Sequence, residues 1–172
     1  MSAVAYCDHG TGGPRVASKT VPLRGGDVGT AIATCPAGTV VVSGGYNSGA
    51  TAPHIEFLQR LERVGLTQWL VTVRNGSSEP TTLTAYAYCS RGVAPRLASA
   101  TVKLADTAST TARISCPKGT SLVGSGFAAN RTGGQLVIPQ RLTAKTSTQL
   151  VVAVYMTGFS YAGTLTALAY CR

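Results

Sequence analysis

Apolar and polar residues alternate with a period of two over most of this chain. Clusters of Gly, Asn, Ser and Pro interrupt the alternation at short intervals. That pattern predicts short strands half buried in sheets. In the first half they fall near 17–23, 29–35, 38–46, 54–61, 67–75 and 81–89. In the second half they fall near 98–104, 110–116, 119–127, 134–142, 148–157 and 163–171. Gly25-Gly26-Asp27, Asn47-Ser48-Gly49, Asn75-Gly76-Ser77 and 131–134 supply turns, because Gly and Asn tolerate positive φ. Residues 55–64 also fit a helical turn or two. Their counterpart Leu136-Val137-Ile138-Pro139-Gln140 carries a proline and β-branched residues, so both are expected to be strands.

The two halves repeat each other at an offset of about 81 residues. Cys35-Pro36-Ala37-Gly38-Thr39 returns as Cys116-Pro117-Lys118-Gly119-Thr120, and Gln59-Arg60-Leu61 as Gln140-Arg141-Leu142. Ala85-Tyr86-Ala87-Tyr88-Cys89 returns as Ala167-Leu168-Ala169-Tyr170-Cys171. Agreement along the whole length marks an internal duplication. The expected fold is all-β: two tandem antiparallel β-sandwich units, jelly-roll-like, over 14–90 and 91–172. Residues 3–7, Ala-Val-Ala-Tyr-Cys, are a third copy of the last strand. Residues 1–13 are therefore expected to form a surplus strand and loop, pairing with an edge of the same molecule or of a neighbour.

Composition narrows the class. Apolar residues make up 44% and charged residues 12%, which is too apolar for disorder and unusually poor in charge. The net charge of +9 is spread along the chain without the alternation of basic and aromatic residues that a nucleic-acid groove needs. It fits solubility and attraction to acidic surfaces. No apolar stretch is long enough for a membrane helix, so no membrane insertion is expected. Residues 1–7 lack the basic start and long apolar middle of a signal peptide, leaving either a removed signal or none.

Five cysteines fall into two types, Cys-Pro at Cys35 and Cys116 and Tyr-Cys at Cys7, Cys89 and Cys171. If equivalent positions pair equivalently, Cys35 bonds Cys89 and Cys116 bonds Cys171. Cys7 is then unpaired or intersubunit. The alternative pairs Cys7 with Cys35 and Cys89 with Cys116. Closing such a loop contributes roughly 3–4 kcal/mol and implies an oxidising setting. There is no Cys-x-x-Cys or Cys/His cluster, so no metal and no cofactor are expected.

Catalytic chemistry has little to draw on. The acids are Asp8, Asp27, Glu56, Glu62, Glu79 and Asp106 and the histidines His9 and His54; none recurs in the other copy. His54 and Glu56 share a strand face, but no nucleophile elbow accompanies them, and a solvated edge is the plainer reading. Ser43-Gly44-Gly45 lacks the Lys-Ser/Thr of a phosphate loop and better marks a bulge or close packing. Trp69 alternates with Val71 and Val73 as a core residue does. Tyr46 and Phe127 are matched aromatics, and Arg60 and Arg141 matched cations. Together the four form the candidate contact surface. No catalytic residue is expected.

The Cys-Pro-x-Gly-Thr segments, the Gly-Gly-Tyr and Gly-Ser-Gly-Phe that follow them, and the closing Leu-Thr-Ala-x-Ala-Tyr-Cys are similar to β modules of secreted actinobacterial proteins and bacteriophage tail, fibre or decoration proteins. The resemblance covers both units, although Leu150 stands where the first unit has Trp69 and no collagen-like stalk is present. It implies display on an extracellular particle, in oligomers or a larger assembly, without enzymatic activity. The expected role is a structural or attachment component of a virion surface. The alternative is a secreted module that binds a cell-surface glycan.

Overall fold

The computed structural model describes residues 13–49, 56–105, 108–131, 137–157 and 163–172. Its secondary structure is all-β. The strands of the first unit are β1 (Arg15–Leu23), β2 (Val28–Thr34), β3 (Val40–Ser48), β4 (Glu56–Val64), β5 (Gln68–Asn75) and β6 (Thr81–Ser90). Those of the second are β7 (Arg96–Lys103), β8 (Ser109–Ser115), β9 (Leu122–Arg131), β10 (Val137–Ala144), β11 (Gln149–Met156) and β12 (Gly163–Cys171). The surplus N-terminal strand expected at residues 3–7 lies outside the described residues, as do Cys7, Asp8, His9, His54 and Asp106.

In the first unit β1-β6-β3 forms one antiparallel sheet, and β2-β5-β4 is arranged as its facing layer. The second unit repeats the order as β7-β12-β9 and β8-β11-β10. Among the described residues each unit thus has six strands in two three-stranded layers, rather than the eight strands of a jelly roll. The repeat extends to irregularities. Register shifts fall at Val42 and Val123, and again at Gln59 and Gln140. A bulge bends its strand and re-aims the residues after it, so the copies bend alike.

The interior is built from small side chains. Leu83, Ala85, Ala87 and Cys89 point inward from β6, matched by Leu165, Ala167, Ala169 and Cys171 from β12. The alanines let the facing sheets approach closely, and the disulfides Cys35–Cys89 and Cys116–Cys171 then tie the end of β2 to β6 and of β8 to β12. These are the pairings that equivalence between copies favours. Each closes a loop of 54 or 55 residues, worth roughly 4 kcal/mol in the chain-entropy model.

The Cys-Pro-x-Gly-Thr motif has a local explanation. Thr39 N–H donates to the Pro36 carbonyl at 3.1 Å and its hydroxyl donates to the same oxygen at 2.6 Å; Thr120 does both to Pro117. The turn needs a left-handed residue at its third position, supplied by Gly38 and Gly119 at φ 76° and 83°. It reverses the chain straight after the disulfide and starts the next strand.

The copies differ where the core is widest. Trp69 is fully buried, and a Cβ on Gly44 would collide with its indole ring. At the equivalent positions the second unit has Leu150 and Ser125. A large residue facing none has become a medium one facing a small one. Gly44→Ser alone should therefore cost about 2–3 kcal/mol by overpacking, and Trp69→Leu alone about 3 kcal/mol by leaving a cavity. Together they recreate the second unit's combination and should cost less than the sum by about 1–3 kcal/mol. Urea unfolding of the oxidised protein measures this, and strict additivity would contradict the packing described.

Candidate functional site

The chemistry of the molecule gathers where the two units meet. β4 pairs with β9 through Arg60↔Ala128 and Leu61↔Phe127, making one six-stranded sheet in the order β2-β5-β4-β9-β12-β7. The two strands are not equivalents; β4 corresponds to β10 and β9 to β3. Past this pairing, β4 crosses the outer face of β9 and β12. The Leu61 carbonyl lies where a side chain on Gly126 would be, and the Val42 carbonyl is 2.8 Å from the Cβ position of Gly124. Both glycines are needed so that the backbone of one unit can approach the sheet of the other.

Tyr170 is the centre of the contact. By alternation along β12 it points out of its own unit, yet it is 1% exposed because it enters the open side of the first unit between β3 and β4. Its ring centroid is 5.6 Å from that of Trp69 at an interplanar angle of 60°. Its hydroxyl accepts the Arg63 N–H at 2.7 Å, and the Arg63 guanidinium sits 5.0 Å from the ring centroid. Arg63 also reaches the Val41 carbonyl at 3.4 Å, spanning the gap between β4 and β3. Desolvation pushes the Tyr170 phenol up to about 12, against the lowering effect of the Arg63 hydrogen bond and charge. Burial lowers the pKa of Arg63, opposed by Tyr170.

The matched residues of the sequence pattern divide between this junction and its open counterparts. Phe127 is fully buried in the second unit and backed by Leu61, whereas Tyr46, its equivalent on β3, is 40% exposed. Arg60 is at the junction and pairs with Glu62, two residues along β4. Arg141 on β10 is exposed. Trp69 lies in the core, as its alternation with Val71 and Val73 implies. The Ser43-Gly44-Gly45 segment follows the Val42 bulge, and its Gly44 packs against Trp69. Sequence reasoning missed Arg63, Tyr170 and the pair Gly124 and Gly126. The only available signal was that Gly126 stays glycine in a strand that has no turn there.

Among the described residues no three His, Cys, Asp or Glu side chains gather as metal ligands, and no helix is long and apolar enough to cross a membrane. No protein-family model, curated protein or solved structure matches the chain. The two disulfides fit an oxidising, extracellular environment.

Tyr170→Phe keeps the ring and removes the acceptor for Arg63 N–H, so it should cost about 1 kcal/mol at neutral pH. Alkali should narrow that gap. The folded phenol holds its proton to about pH 12 and an ordinary phenol only to 10.0. The native advantage is therefore complete below pH 10 and lost as pH rises toward 12. Denaturant melts of both proteins from neutral to strongly alkaline pH check this; a gap that does not change with pH would rule out a buried, neutral Tyr170.

Proposed function

We propose that this chain is a non-enzymatic structural and attachment protein of an extracellular particle, such as a capsid decoration, tail accessory or fibre-tip component of a phage virion. The observation that carries the reading is the uninterrupted six-stranded sheet through two disulfide-tied units. Arg63, Trp69 and Tyr170 are committed to cohesion of the two units, and the copies leave unlike edges open on either side. A body of this kind resists the outside environment and offers repeated surfaces for assembly. The resemblance to modules displayed at particle tips supports the same role.

A second reading rests on a different surface. Tyr86 and Tyr88 stand side by side on the outer face of β6, each partly exposed, with Ser18 across β1 and the Thr20–Thr84 hydroxyl pair at 2.9 Å next along the strands. Flat aromatic faces edged by hydroxyls suit sugar rings, so a secreted glycan-binding module is the competing function. Light scattering and a glycan array on the oxidised protein separate the two. Stable multimers without glycan binding are expected; a monomer that retains glycans at Tyr86 and Tyr88 would reverse the conclusion.

A further inference from the structure

We propose that the outer β3–β6 surface carrying Gly45, Tyr86 and Tyr88 is a docking site for strand β10 of a second copy of this chain. The inference rests on the assembly role above and names the surface that performs it.

The internal junction is one-sided. β4 of the first unit pairs with β9 and lies across the outer face of β9 and β12, whereas their equivalents β10 and β3 do not pair with each other. The receiving face nevertheless survives in the first unit. Gly45 stands for Gly126, Tyr86 for Leu168 and Tyr88 for Tyr170. In the second unit Leu168 and Tyr170 are buried; in the first, Tyr86 and Tyr88 are partly exposed.

Gly45 is the decisive residue. Gly126 must lack a side chain because the Leu61 carbonyl occupies its space, but nothing lies within 4 Å of a Cβ built on Gly45, and its φ is not positive. A glycine inside a strand weakens it, and no contact among the described residues requires one there. A backbone arriving from another molecule would require it. β3 also carries neither charge nor proline, whereas edge strands β1 and β7 are guarded by Lys19 and Pro22 and by Arg96 and Lys103.

The donor is present too. The junction reaches the Gly126–Tyr170 face chiefly through backbone, the Leu61 carbonyl and the Arg63 N–H. β10 offers the same groups at Leu142 and Ala144. Lys145 N–H bonds inward to the Gln149 carbonyl, so by alternation the Ala144 N–H points away from β11. The missing guanidinium, with Ala144 in place of Arg63, makes the contact between molecules weaker than the one within. Because face and edge are different surfaces, the association is head to tail and each added copy presents a new face.

Sedimentation velocity over a concentration series tests this on the oxidised full chain, at about 0.3 M salt to screen repulsion between copies of charge +9. The wild type should show mass rising with concentration in multiples of the monomer. Gly45→Val blocks the face without touching any contact among the described residues. Ala144→Pro removes the edge N–H at a position where a strand tolerates proline. Each should weaken association about tenfold or more while leaving the melting temperature unchanged or higher. Mixing the two variants leaves one intact face and one intact edge, so it should restore dimers and nothing larger.

Multimers indifferent to both substitutions would overturn this surface and leave the assembly role standing. A wild type that stays monomeric overturns both. So does a monomer whose Tyr86 and Tyr88 take up oligosaccharides. A monomer destabilised by Gly45→Val would show that the face is closed within the molecule, which also overturns the proposal.

Discussion

One phenol belongs to two cores. Tyr170 is covalently part of the second unit and energetically part of the first, where it covers the indole of Trp69 and takes the Arg63 N–H. Full burial of an aromatic ring contributes about 1.5–3 kcal/mol, and here both rings are buried by the same contact. An open side between β3 and β4 would otherwise expose Trp69. The glycines at 124 and 126, the crossing of β4 over β9 and the placement of Arg63 between two strands all serve that insertion. Its acid–base character follows as well, since a phenol held in this place keeps its proton far into alkali.

The differences between the copies at and beside the junction follow what each copy contacts there. Interior positions of β6 and β12, the Cys-Pro-x-Gly-Thr turns, the bulges at Val42 and Val123 and those at Gln59 and Gln140 are held in common because each unit must close its own sandwich. Trp69 and Leu150, Gly44 and Ser125, and Arg63 and Ala144 differ because only the first unit receives Tyr170. Asn75 and Met156 differ for a local reason. Asn75 is buried, donating to the Glu79 carbonyl at 2.7 Å and accepting from Ser77 N–H at 3.0 Å, so it fixes a loop by hydrogen bonds, whereas Met156 is a buried apolar residue.

The strands were legible in the sequence because two independent signals coincide. The period of two gives the face of each residue, and the repeat reads every element twice. Residues 55–64 alone fit a helical turn or two, and Pro139 with the β-branched residues of the other copy argues for β4. The cysteine pairing followed from the same equivalence. The junction was not legible, because alternation says which face a residue occupies and nothing about what covers that face. Tyr88 and Tyr170 sit in nearly identical sequence, and Tyr46 and Phe127 in matched positions, yet one of each pair is exposed and the other buried. Their difference comes from a strand over 60 residues away in the chain.

The covalent and noncovalent ties divide the work. Each disulfide joins the two layers within one unit, from the end of β2 to β6 or of β8 to β12. No disulfide crosses from one unit to the other among the described residues. The units are connected in space by two paired positions of β4 and β9, the backbone approach over Gly124 and Gly126, and Tyr170. Oxidation can therefore hold each sandwich closed while the contact between sandwiches stays a surface interaction, open to exchange with like surfaces. A receiving face built from backbone and glycine, rather than from matched side chains, is the kind that survives duplication in both copies. Divergence of the donor strand then sets how tightly each copy of that face is filled.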